Sequence, residues 1–150
     1  ELAEFPCGVV PTKSMPQAFA AMFAVDQEAD LEENIEEMTE AYADVKTGEV
    51  TTAIKDSKDA HDNPIKEGDV IGISDGAIEA VASTVEDAVM RLLEVMEAAD
   101  ADTLTILAGE DFTDEALEAL EEKIEQSYED LEIDSHRGEQ PLYPIILSVE

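Results

Sequence analysis

Apolar positions recur along this chain in two rhythms, and the change from one to the other divides it. Cys7 to Val10 form a run of small or β-branched residues between Pro6 and Pro11, which predicts a short buried strand. Ser14 is placed to cap a helix over Met15 to Val25, with Pro16 in the first turn, where its missing N–H costs nothing. That helix is apolar on nearly every face and is expected to be buried on more than one side. A second helix is predicted from Asp30, with Glu33 three residues on as in a capping box. Leu31, Ile35, Met38 and Tyr42 form its apolar stripe, and its other face is acidic.

Between Lys46 and Gly48 the period changes, and Val50, Thr52 and Ile54 alternate as a strand does. The boundary is placed near Asp44 to Gly48, giving domains 1–45 and 46–150. A polar loop from Asp56 to Asn63, expected to be mobile, leads to two apolar runs around Asp75-Gly76. This pair is a strong hairpin signal, because both central positions of a type I′ turn need positive φ. Ser83 or Thr84 caps a helix with Val85, Val89, Leu92, Leu93 and Met96 inward. "TLTILAGE", residues 103 to 110, reads as a buried strand ending in glycine. A helix follows, with Thr113 as N-cap and Leu117, Leu120 and Ile124 on its core face. Leu131 to Ile133 and Leu142 to Val149 supply two last strands, joined by "SHRGEQP". The order β, β-hairpin, α, β, α, β, β predicts an α+β (α/β-like) fold, a mixed β-sheet with helices packed on it.

Charge changes the picture of the surface but not of the core. The chain has 150 residues, 8 basic and 39 acidic side chains and a net charge of −31, with 44% apolar content. The apolar residues suffice for a core, so the charge belongs to the surface. Such a surface repels phosphate backbones and anionic headgroups, which argues against nucleic-acid binding and peripheral membrane attachment. It also suits a salt-rich cytoplasm. The single cysteine, Cys7, cannot form an internal disulfide, which fits a reducing compartment and a cytoplasmic location. Ser14 to Val25 is too short an uncharged stretch to span a bilayer, and no leader pattern is evident. The start Glu1-Leu2-Ala3, without an initiator methionine, fits a processed or excised segment.

Candidate chemistry is sparse. Gly72, Gly76 and Gly109 follow neither phosphate-loop spacing. His61 and His136 lack metal-site spacings, and Cys7 reads as a small core residue, so no catalytic or metal-ligating residue is assigned. Glu110 and Asp111 follow a buried strand, where α/β sheets tend to place ligand contacts; as an alternative they favour the start of the next helix. Lys13, with Thr12 and Ser14 beside a helix N-terminus, makes an anion-contact corner or simply a capping turn. Arg137 to Tyr143 is a binding loop or a tight connection that anchors the last strand.

Several stretches together resemble one family. "VVPTKSMPQAFAAMFAVDQEADLEENIEEMTEAYADVKTGEVTTAIKDS", "IKEGDVIGISDG", "ILAGED" and "GEQPLYPIILSVE" are similar, in order, to the C-terminal region of the FakA-like family of fatty acid kinases. This family is also described as the dihydroxyacetone kinase-like DAK2 fusion family. The resemblance spans essentially all of the chain. It implies a larger parent kinase whose N-terminal domain, similar to the ATP-binding subunit of dihydroxyacetone kinase, carries ATP and Mg. It also implies a DegV-like fatty-acid-binding partner, whose fatty acid is phosphorylated to an acyl phosphate. On this resemblance the segment holds no ATP- or magnesium-binding residue, needs no cofactor of its own, and is inactive alone.

The resemblance further implies that residues 1–45 are the last strand and helices of an upstream α/β subdomain. Met15 to Val25 would then seek another cover, either the chain's own second half or a copy of itself in a dimer. The family pattern matches at Pro11, Thr12, Lys13, Ser14, Pro16 and Gln17, at Gly48 and Glu110, and at Gln140, Pro141 and Tyr143. Lys55-Asp56 stands where Arg-Asp is more usual, and Gly138-Glu139 where Gly-Gly is typical. The second departure bears on the loop's flexibility, since glutamate does not easily take positive φ. The residues expected to contact a partner or ligand are Thr12, Lys13, Ser14, Gln17, Glu110, Arg137, Gln140 and Tyr143. A structural or dimerising module and a small-molecule-binding domain are the alternative functions.

Overall fold

The computed structural model describes residues 5–150; the start at Glu1 to Ala3 lies outside the described residues. The chain separates into two compact units, Glu1–Val45 and Lys46–Glu150.

The first unit is a helical pair. α1, Met15–Phe23, begins at Ser14, whose hydroxyl accepts from the Gln17 amide at 3.3 Å. It stops short of Val25 because the next turn's polar groups go elsewhere: the Asp26 amide donates to Asn34 Oδ1 at 2.8 Å, and Asn34 Nδ2 donates back to the Asp26 carbonyl at 2.8 Å. α2, Leu31–Ala43, starts where the Asp30 carboxylate accepts from the Glu32 and Glu33 amides at 2.9 and 3.0 Å. That removes two of the unpaired donors every helix start exposes.

Two expectations for this unit are corrected. Cys7 to Val10 is irregular rather than a strand, and Cys7 is exposed rather than a core residue. A strand needs a ladder partner, and the regular elements of this unit are helices. α1 is also not buried on several sides: Pro16 and Ala21 are its buried residues, and Phe23 is 89% exposed.

The second unit is a mixed six-stranded sheet with helices packed on it. β1 (Lys46–Thr52) is followed by a separate short pair, β2 (Ser57–Lys58) and β3 (Pro64–Ile65). The other strands of the main sheet are β4 (Val70–Ser74), β5 (Ala77–Ala82), β6 (Thr103–Ala108), β7 (Glu132–Arg137) and β8 (Ile145–Val149). They lie with β1 in the order β5-β4-β1-β8-β6-β7. All neighbours are antiparallel except β6 and β7, which are parallel and joined through a helix. Asp75 (φ 47) and Gly76 (φ 86) make the left-handed pair of the β4–β5 turn, as the sequence predicts. α3, Val85–Val95, is capped by Thr84, and α4, Asp114–Glu125, which joins β6 to β7, by Thr113.

Val50, Leu104, Ile106, Ile145 and Leu147 from the sheet meet Val89, Leu92, Leu93, Leu120 and Ile124 from α3 and α4 in one core. α3 approaches closely where the sheet offers glycine: a Cβ on Gly72 would lie 2.7 Å from Leu92 Cγ. Burial of these aliphatic side chains, each contributing about 1.5–3 kcal/mol, is the main stabilising term.

The strand ends differ from those the sequence pattern predicts. β1 stops at Thr52, after which Ala53 bonds to Asp69 and Gly68, and Ile54 lies outside it with 86% exposure. The Asp56 to Asn63 stretch is not all loop, since it contributes β2. β7 runs on to Arg137 because β6 offers it a parallel ladder up to Ala108. Ser135, His136 and Arg137 therefore belong to a strand rather than to the connection, and β8 begins only at Ile145.

Candidate functional site

Glu110, Arg137, Gln140 and Tyr143 are gathered at one end of the sheet, around the exit of β6 and the entry to β8. The segment between β7 and β8 is laced onto that end by main-chain bonds. The amides of Gly138 and Glu139 donate to the Ala108 carbonyl at 2.9 and 3.2 Å, and those of Gly109 and Glu110 donate to the Pro144 and Gln140 carbonyls at 2.8 and 3.2 Å. A Cβ on Gly109 would collide with the Tyr143 carbonyl, so only glycine lets the two segments approach this closely.

Gln140 is the brace. Its Nε2 donates to the carbonyls of Leu107 at 2.9 Å and Tyr143 at 3.1 Å. Its Oε1 is buried with no hydrogen-bond partner among the described residues and occupies the space a Cβ on Gly138 would need. Thr51 Oγ1 donates to the Leu142 carbonyl at 2.7 Å, tying the same segment to β1. Arg137 donates to the Phe112 carbonyl and lies 3.5 Å from Asp114, so its guanidinium is engaged by a carbonyl and a carboxylate.

The segment is held in an uncommon backbone conformation. Glu139 has φ 52 and Leu142 φ 70, both in the left-handed region that costs a side-chain-bearing residue about 1–2 kcal/mol. Glutamate is poorly suited to positive φ, yet Glu139 adopts it, because the bonds of Gly138 and Glu139 to Ala108 hold the turn.

Beside this segment lies a cleft of about 510 Å³. Its walls come from Thr51 and Thr52 of β1, Ala53 and Ile54 beyond it, and Ile71 of β4. Gly109 and Asp111 follow β6, and Gln140 and Leu142 to Pro144 close the other side. Ile54 and Leu142, 86% and 80% exposed, form its lips. Asp111 supplies the negative charge among the lining residues, and neither Lys nor Arg is among them. Thr51, Ile54 and Leu142 are not among the residues expected from sequence, because the pattern places Ile54 inside the alternation of β1 and Leu142 inside the last strand.

Thr12, Lys13, Ser14 and Gln17 belong to the first unit, where they make a capping corner. The Thr12 amide donates to the Val10 carbonyl at 2.9 Å. Gln17 Oε1 accepts from the Lys13 amide at 2.9 Å, and Gln17 Nε2 donates to the Val45 carbonyl at 3.4 Å. Among the described residues no group of three or more His, Cys, Asp or Glu side chains could hold a metal ion, and no helix is long and apolar enough to cross a membrane.

Comparison with known proteins matches all of residues 1–150 to the C-terminal family model of FakA-like fatty acid kinase subunits. An uncharacterized protein of Staphylococcus haemolyticus is 39% identical over 149 residues, covering 99% of this chain and 27% of that protein. Protein YloV of Bacillus subtilis is 38% identical over 143 residues, covering 95% of the chain and 26% of YloV. An uncharacterized protein of Staphylococcus aureus is 36% identical over 142 residues, with the same shares as YloV. The chain thus spans about a quarter of the length of these relatives. With the whole of it matched, from the Ser14 corner to the last strand, the chain belongs to the FakA-like C-terminal family of fatty acid kinases.

Proposed function

We propose that this chain is the noncatalytic C-terminal region of a fatty acid kinase, and that it recognises or positions a DegV-like, fatty-acid-binding protein while acyl phosphate is formed. The phosphoryl transfer, with ATP and Mg, belongs on this reading to the part of the parent protein outside residues 1–150, and the parent works in the cytoplasm. The observation that carries the proposal is the family match over the full chain. It is supported by the convergence of Glu110, Gln140 and Tyr143 on a braced surface segment next to an open cleft. Loops positioned by a rigid scaffold are where proteins disproportionately present contacts.

The test is steady-state phosphorylation by the parent kinase with fatty acid presented on the partner. Tyr143→Ala and Glu110→Gln are expected to raise the KM for loaded partner several-fold and leave the KM for ATP unchanged. Wild-type KM for the partner in both variants would contradict a recognition role. A second reading, a structural or dimerising module, is favoured by the exposure of Met22 and Phe23 on α1. It predicts intact kinase activity in those variants and a mass in solution that falls to monomer in Phe23→Ser.

A further inference from the structure

Ile54 and Leu142 both line the cleft between β1 and the segment before β8, and both are large, apolar and mostly in water. Leu142 is held there at φ 70, a conformation that disfavours any residue with a Cβ. Nothing in the hydrophobic core uses either side chain: they are absent from both packed clusters of this unit. A small molecule needs enclosure over most of its surface. Lips so exposed offer little, and suit instead a side chain delivered from another protein surface.

Charge narrows the partner. Asp111 lines the cleft, and among the described residues no lysine or arginine does. Glu110 and Glu139, both exposed, flank lining residues in sequence, as does one exposed cation, Lys55 beside Ile54, so with Asp111 the acids near the cleft outnumber the bases three to one. The nearest arginine in sequence, Arg137, is engaged by Asp114 and the Phe112 carbonyl. With a net charge of −31 on the chain, an acidic or neutral surface gains nothing from approach, whereas a basic one is steered in.

We propose that the cleft is the docking site for an apolar side chain of a partner protein, carried on a surface segment bordered by lysines or arginines. The apolar side chain enters between Ile54 and Leu142, and the flanking cations face Asp111, Glu110 and Glu139. This inference rests on the recognition function proposed above, and it adds which residues dock and what chemistry they accept.

The experiment titrates the fatty-acid-loaded partner into the 150-residue chain and its variants, with ¹⁵N-labelled chain to map the contact. Leu142→Gly removes the apolar lip while relaxing the positive φ, so the variant keeps its fold. Ile54→Ser alters a side chain that is almost wholly in solvent. Each is expected to weaken binding about tenfold or more; Asp111→Asn flattens its salt dependence, and Glu118→Gln on the outer face of α4 changes nothing. In the wild type the amide signals of Gly109, Asp111 and Leu142 should move first. If the wild-type chain binds and the lip variants bind equally well, the cleft is not the docking site and this inference fails, while the recognition function stands. If the wild-type chain does not bind, both fail together. If MgATP or free fatty acid alone shifts those amides, the cleft is a small-molecule site and this inference is overturned.

Discussion

The side-chain amide of Gln140 donates to the main-chain carbonyl of Leu107 at 2.9 Å, joining the connection before β8 to the neighbouring strand β6. The same nitrogen serves the Tyr143 carbonyl at 3.1 Å, so both of its protons are used. Replacing this NH₂ by a carboxylate oxygen would set negative charge against two carbonyl oxygens. Gln140→Glu is therefore expected to destabilise the chain by about 2–3 kcal/mol, more than Gln140→Ala, which only leaves the carbonyls unpaired. Thermal denaturation of the pair checks the order, and equal melting temperatures for wild type and Gln140→Glu would contradict the brace.

Glu139 occupies a left-handed position that glycine adopts without strain. Glu139→Gly is expected to stabilise the folded chain by about 0.5–1 kcal/mol, the relief of strain exceeding the extra chain entropy of glycine. Urea unfolding measures this. A loss of stability of the same size would show that the Glu139 side chain contributes to the fold in a way its exposure hides.

Asp87 and Lys123 connect α3 to α4 at 3.1 Å. The hydrogen bond from Lys123, and then that from Thr84, hold the Asp87 carboxyl below its ordinary value of 3.8. Like charges oppose the ionisation of any carboxyl in so acidic a chain, and at this position the lysine outweighs them. A depressed carboxyl pKa adds stability above its unfolded value, and this is lost as pH falls through the folded value. Asp87→Asn should therefore melt slightly below wild type at neutral pH, and the gap should close below pH 3.8. A gap that widens on acidification would reverse the sign. The effect is small because both side chains are about half exposed.

Self-repulsion among 39 acids and 8 bases is screened over a length of about 10 Å at 0.1 M salt and about 3 Å at 1 M. The melting temperature should rise with potassium chloride over that range, since more repulsion than attraction is removed. A flat or falling curve would mean that the few ion pairs outweigh the net charge.

What the sequence made legible is what local chemistry decides. Asp30, Thr84 and Thr113 cap helices because each has an oxygen in reach of amides two or three residues on. Asp75-Gly76 turns because its own backbone allows positive φ. Cys7 to Val10 has the composition of a strand, but a strand exists only with a partner, which lies outside its own residues. Ile54 continues the alternation of β1 on paper, and the bonds of Ala53 to Gly68 and Asp69 end the strand before it. The cleft was hidden for the same reason. Leu142 is fixed through its main-chain carbonyl by Thr51, 91 positions away, and no pattern within the "GEQPLYP" stretch encodes that bond.

The recognition role is tested most directly by calorimetric titration of this chain with the DegV-like protein loaded with fatty acid. A saturable heat with a dissociation constant in the micromolar range or tighter, about −8 kcal/mol, is the predicted result. Absence of any binding heat at several temperatures, with both proteins folded, would contradict it and reduce the chain to the role of a structural module.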